Sequence, residues 1–176
     1  MSCRRFLFSG FFLVLLVLLL PGGTAARDEL RGKVAWVYDG DSLQVAGVGQ
    51  VRLLGIDTPE KKDSGRDRFY LRLGIPRENL RPAAERARQF TRRASRNKVV
   101  LLVPGGDRHD RYGRLLAYVF LPDGRLLNRL LLENGLAVVY RRFDFSRKEE
   151  FLSAEDEARR KGKGMWEDRE DSGVIH

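Results

Sequence analysis

The sequence predicts an α+β fold, a small closed β-barrel of five strands with three packed helices. Three observations carry that expectation. Five short runs rich in β-branched residues and leucine are bounded by turn signals. An alanine-rich pattern of helical period separates the third run from the fourth. Two further helical patterns follow the fifth.

Lys33 to Tyr38 (K-V-A-W-V-Y) reads as the first strand, closed by the turn pair Asp39-Gly40. Leu43 to Val45 and Val51 to Ile56 follow, joined through Gly47 and Gly49. Thr58-Pro59 ends the third strand, because proline brings no N–H to a ladder. Lys61 to Arg81 is polar, charged and punctuated by Gly65, Gly74 and Pro76, and reads as a long surface loop with room for one helical turn at Phe69-Tyr70-Leu71. Pro82 suits the first turn of a helix, and Ala83, Ala84, Ala87, Phe90 and Ala94 continue its apolar face. Val99 to Val103 is the fourth strand, ended by Pro104-Gly105-Gly106, and Leu115 to Leu121 the fifth. Leu126 to Glu133 reads as a helix stopped by Asn134-Gly135. Leu136 to Tyr140 is extended, and Ser146 with Glu149 forms a capping box for a last helix toward Lys161. Among α+β arrangements, a five-stranded OB-type barrel accommodates this order.

The chain of 176 residues has a net charge of +9, which favours polyanionic partners, nucleic acid or anionic lipid. Arg4 and Arg5 precede an apolar run from Phe6 to Leu20, and Thr24-Ala25-Ala26 offers small residues for cleavage. Residues 1–26 therefore read as a signal peptide or an N-terminal membrane anchor, and export is expected. Residues 27–31 are then a linker, 32–166 the folded domain and 167–176 a flexible tail. The single cysteine, Cys3, falls in the leader, leaving the mature domain without a disulfide or thiolate site. Only His109 and His176 are histidines, which excludes a histidine-rich metal site and leaves oxygen ligands and hard cations.

Three segments carry the chemistry: Asp39-Gly40-Asp41-Ser42, Arg52 through Glu60, and Asp110-Arg111-Tyr112-Gly113-Arg114. A phosphodiester repels nucleophiles. Its hydrolysis needs charge neutralisation, an activated water and donors for the extra charge of the transition state. Carboxylates hold a hard cation that polarises a phosphoryl oxygen. A further carboxylate takes a proton from water, and guanidinium forks match phosphate oxygens. Asp41 and Asp57 are candidate metal ligands, Glu60 a candidate base, and Arg52 and Arg114 candidate phosphate clamps. Taken singly, each segment also reads as structure: a turn, a strand exit, a surface charge.

These segments resemble the signature of the thermonuclease (staphylococcal nuclease) family, with further likeness at Leu116-Ala117-Tyr118, Asn128, Asn134 to Ala137 and Gly164-Met165-Trp166. The likeness spans Gly32 to Trp166. It implies an OB-type barrel with three helices and a calcium ion held by Asp41, Asp57 and the carbonyl of Thr58. It implies Glu60 as general base, Arg52 and Arg114 stabilising the transition state, and Tyr112 contacting the nucleotide, with Arg111 beside it in the substrate site. It further implies cleavage of DNA and RNA, single-stranded or locally opened, to 3′-phosphate ends, by an expected monomer. Ser42 departs from the family's usual threonine but keeps a hydroxyl, and the segment Lys61 to Arg81 is longer than in the staphylococcal enzyme. The alternatives are a non-catalytic OB-type module that binds nucleic acid through a basic groove, and an envelope protein whose basic face meets anionic lipid.

Overall fold

The computed structural model describes residues 29–168, so the leader and residues 169–176 lie outside it. Five strands close a barrel: β1 (Leu30–Val37), β2 (Ser42–Val45), β3 (Gly49–Leu53), β5 (Val99–His109) and β6 (Leu115–Phe120). Neighbours run antiparallel except β3 and β6, which are parallel. Val34, Val37, Leu43, Val45, Val51, Leu53, Val100, Leu102, Ala117 and Val119 point inward and are buried. Polar residues alternate outward, as the two-residue period of a half-buried strand requires.

The expected strand Val51 to Ile56 is broken. β3 ends at Leu53, Gly55 takes φ +80°, and β4 (Ile56–Asp57) leaves the barrel to pair with β7 (Val138–Val139). A Cβ on Gly55 would lie 2.7 Å from the Phe145 ring, so both conformation and space call for glycine. Buried Asn128 covers the break, donating to the Leu54 carbonyl at 2.9 Å and accepting from the Val119 amide at 3.0 Å.

The fourth strand also differs. β5 does not stop at Pro104-Gly105-Gly106 but runs on to His109, with an irregularity in which the interval Pro104–His109 faces only Ala117–Leu115. Proline is tolerated at such a bulge because no ladder bond needs its missing N–H.

Three helices pack on the barrel: α2 (Arg77–Ser95), α3 (Leu127–Glu133) and α4 (Lys148–Arg160). Leu80, Ala83, Ala84, Ala87, Thr91 and Ser95 form the buried stripe of α2 at helical spacing. Pro82 is not in its first turn: Pro76 is the N-cap residue and the helix begins at Arg77. The residue before a proline disfavours the helical region, which sets the boundary at Ile75-Pro76. α3 ends as expected at Asn134-Gly135, where the amides of Gly135 and Leu136 bond back to Leu132 and Leu131, both at 2.9 Å. The expected capping box of α4 is absent. Arg147 is its N-cap with no side-chain bond, and the Ser146 hydroxyl instead meets Tyr118 Oη at 3.1 Å.

The helical turn expected at Phe69-Tyr70-Leu71 is present as α1 (Asp67–Arg72), but the rest of the segment 61–81 is less loop than expected, because it also contains the first turns of α2. Tyr70, Ile75, Leu80, Ala83, Val138 and Met165 form a second buried cluster, flanked by Phe69, Leu73 and Trp166. Burying these side chains contributes on the order of 1.5–3 kcal/mol for each large one, which offsets the entropy of ordering the segment. Among the described residues no helix is long and apolar enough to cross a membrane.

Candidate active site

Residues of the first two chemical segments meet on the outer face of β3. Alternation puts Val51 and Leu53 into the barrel and sends Gln50 and Arg52 outward. Ser42 on β2 stands directly across from Arg52. The turn before β2 delivers Asp41, and it can do so only with glycine at position 40. A Cβ there would lie 2.6 Å from Ala87 and 2.8 Å from the Thr58 methyl. Thr91 of α2 fixes the turn by donating to the Gly40 carbonyl at 2.7 Å, and Asp39 accepts from the Asp41 amide at 3.1 Å.

Arg52 bridges the two buried acids. Its Nη1 donates to Asp41 at 2.9 Å and its Nη2 to Asp57 at 2.5 Å. Asp41 also accepts from the Ser42 hydroxyl at 3.1 Å and the Thr58 amide at 3.2 Å. Burial pushes the Asp41 carboxyl up to about 6, against the pull of Arg52. Asp57 is likewise raised, by burial and by the neighbouring charge of Asp41. Burial alone would lower the Arg52 pKa, but the two carboxylates outweigh it and hold the guanidinium charged.

Two residues from the segment 61–81 reach Asp57 as well. Arg66 pairs with Asp57 through Nη2 and lies 3.4 Å from Glu60 through Nη1. The fully buried Tyr70 donates its phenol to the other Asp57 oxygen at 2.6 Å, and burial beside that carboxylate drives its pKa up. Arg81 ties the segment down by donating to the Glu60 carbonyl and to Asp67, both at 2.6 Å.

The third segment is a turn closed on Asp110. That carboxylate accepts from the amides of Tyr112 at 2.9 Å and Arg114 at 3.0 Å, and from Arg114 Nε at 2.7 Å. Burial would raise its pKa, yet these bonds prevail and hold it below the usual range. Arg114 is thereby aimed at Ser42, with Nη1 3.3 Å from the hydroxyl, and its guanidinium lies 5.5 Å from the Tyr112 ring centre.

The result is an open hollow of about 340 Å³ lined by Asp39, Asp41, Gln50, Arg52, Thr58, Pro59, Glu60, Arg66, Tyr112 and Arg114. Of the residues singled out from sequence, Asp41, Arg52, Thr58, Glu60, Tyr112 and Arg114 line it. Asp57 lies behind it, held by Arg52, Arg66 and Tyr70. Arg111 does not line it. Its guanidinium stacks 4.7 Å from the Tyr112 ring centre and donates to that residue's hydroxyl at 2.6 Å. Arg66 and Tyr70 were not among the residues singled out, and Asp110 stood in the third segment without a role of its own. The Asp110–Arg114 spacing was a legible signal, whereas nothing local in 61–81 marked Arg66 over its many basic neighbours.

The donor chemistry suits a hard divalent cation. Asp41 and Asp57 supply buried carboxylates and Thr58 a carbonyl, all oxygen. Burial, more than any other cause, raises both carboxyls, against the pull of Arg52 on each and of Arg66 on Asp57. Among the described residues no three His, Cys, Asp or Glu side chains gather into a ready cage, so carbonyl and water oxygens must complete any coordination shell.

Residues 50–168 match the family described as staphylococcal nuclease homologue. The chain is 37% identical over 152 residues to an uncharacterised protein of Methanocaldococcus jannaschii, covering 80% of this chain and 73% of the relative. It is 31% identical over 148 residues to the thermonuclease of Staphylococcus hyicus, covering 82% of this chain and 80% of that enzyme. It is 34% identical over 134 residues to a prophage-derived endonuclease of Bacillus subtilis, covering 73% of this chain but 41% of the relative. β1 and β2 precede the matched residues yet complete the same barrel. A five-stranded barrel carrying these acids and arginines on one face, together with these matches, places the chain in the staphylococcal nuclease family.

Proposed function

We propose that this chain is an exported, calcium-dependent nuclease that hydrolyses phosphodiester bonds within DNA and RNA and leaves 3′-phosphate ends. One observation carries the reading: guanidinium groups and carboxylates, drawn from distant parts of the chain, line one hollow of a size to take a phosphodiester. Two relatives are named for that chemistry.

The phosphate seats between Arg52 and Arg114, whose forks match its oxygens. Asp41, Asp57 and the Thr58 carbonyl would hold calcium, which when bound neutralises phosphate charge and polarises a phosphoryl oxygen. Glu60 orients a water and takes its proton. The water oxygen bonds to phosphorus, the bond to the 5′-oxygen breaks, and that oxygen leaves as a hydroxyl once protonated. Arg114, aimed by Asp110, meets the charge gained in the transition state. A positioned donor of this kind contributes about 3–4 kcal/mol.

A pure binding module is disfavoured by the same hollow. Asp41 and Glu60 beside a phosphate repel it unless a cation intervenes, and a binder has no use for them. Incubating the purified chain with end-labelled single-stranded DNA tests the reading. Cleavage in calcium, its loss on adding a chelator, and 3′-phosphate products are expected. Salt-sensitive binding without cleavage in calcium would support the module instead.

A further inference from the structure

The hollow is continuous with an exposed aromatic edge that none of the chemistry above uses. Two rungs of the barrel cross β3, β2 and β1 on the outer face. In one, Arg52 pairs with Ser42, whose carbonyl accepts from the Tyr38 amide at 3.0 Å. In the other, Gln50 pairs with Gln44, and Gln44 with Trp36. Both rungs begin in the hollow, at Arg52 and Gln50, and both end in an aromatic open to solvent, Tyr38 at 42% and Trp36 at 50% exposure.

The aromatics are there by construction. The β1–β2 register shifts between Val34 and Trp36. This leaves Ala35 and Trp36 both outside while Val34 and Val37 stay buried. Bulges beside active sites re-aim side chains in this way. A half-exposed indole forgoes part of the stabilisation that burial would give it, so the fold keeps it outside at a cost. The edge is also cationic: the Arg96 guanidinium stacks 5.1 Å from the Trp36 ring centre, and Lys61 Nζ donates to the Tyr38 carbonyl at 3.0 Å. Tyr38 Oη donates to Gln44 at 3.1 Å, setting its ring along the row.

We infer that Trp36 and Tyr38 form an extension subsite that stacks the bases of single-stranded nucleic acid running out of the hollow across β3, β2 and β1. The inference rests on the nuclease reading for what enters the hollow. Strands lie about 4.8 Å apart, so the row from Gln50 to Trp36 spans about 10 Å by the same spacing, and only a strand extending past the cleaved phosphate reaches it. The glutamine amides between present donors and acceptors to base edges or sugars. Flat aromatics beside positive charge bind any base sequence, because every base has a π face.

Fluorescence separates this subsite from the catalytic claim. Oligothymidylates of two and fifteen nucleotides are titrated at fixed salt, in chelator so that nothing is cut, against the Trp166→Phe protein, whose remaining tryptophan is Trp36. The fifteen-mer is expected to quench Trp36 and the dinucleotide not. In Trp36→Ala or Tyr38→Ala, the ratio of fifteen-mer to dinucleotide affinity, read by anisotropy, is expected to fall about tenfold or more, the loss expected for one stacking ring. Trp36→Phe should restore most of it. An unchanged ratio, equal loss for both lengths, or Trp36 quenched by anionic phosphatidylserine vesicles but not by the fifteen-mer would overturn the inference. A chain that binds with this length dependence but never cuts in calcium would leave the subsite standing and remove the nuclease reading.

Discussion

Asp57 is gripped by two arginines from two regions of the molecule, and the regions hold them differently. Arg52 stands on a barrel strand, its side chain 15% exposed and shared with Asp41. Arg66 comes from the segment 61–81, just before a six-residue helix, its side chain 46% exposed and shared with half-exposed Glu60. A charge pinned between two buried acids belongs to the fold. One reaching in from solvent can leave. The barrel thus supplies the fixed part of the site, and the segment 61–81 an adjustable cation over the same carboxylate.

The largest expected effect comes from removing the fixed arginine. Arg52→Ala leaves Asp41 and Asp57 buried with their shared partner gone. It should cost about 3–5 kcal/mol in denaturant unfolding, the usual penalty for breaking a buried pair. It should also slow single-turnover cleavage about 10²–10³-fold through loss of a transition-state donor. Tyr70→Phe should cost less, about 1–3 kcal/mol, because one Asp57 oxygen loses a buried donor. Its unfolding curve sharpens the comparison by showing how firmly the segment 61–81 is anchored.

The smallest stability effect is expected for Arg66→Ala, within about 1 kcal/mol, as for other partly exposed pairs. Calcium affinity in the absence of nucleic acid should rise several-fold, because a competing cation has been taken from Asp57. Calorimetric titration reads this directly. If Arg66→Ala destabilised the protein as much as Arg52→Ala, or weakened calcium binding, the two arginines would be equivalent and the comparison would fail.

Most of the barrel was legible in the sequence because its strands alternate and its turns use Asp-Gly, Asn-Gly and proline. The departures share a cause. Gly55 acts according to what packs on it and Pro104 according to a bulge in strand pairing, and short-range pattern reports neither. Gly55 looked like an interior strand residue until Phe145 packed against it. Pro82 looked like a helix start because the apolar face after it is so regular, while Pro76 was hidden in a charged stretch. Ser146 and Glu149 have capping-box spacing, but the serine hydroxyl is used by Tyr118 of β6. At the site, Asp41, Arg52, Glu60 and Arg114 were readable from motif spacing. Arg66 and Tyr70 were not, since their place depends on the second core around Ile75, Leu80 and Met165.

The most direct test of the hydrolytic account is Glu60→Gln, assayed alongside the unaltered chain for calcium binding, single-stranded DNA binding and single-turnover cleavage. Glu60 is 44% exposed at its side chain and contacts only Arg66 among the pairs described, so the fold should be unchanged. The account predicts both ligands bound within a few-fold of the unaltered protein and cleavage slowed about 10²–10⁴-fold. Cleavage at the original rate would contradict it, leaving the acids of the hollow as structural counter-charges to the arginines.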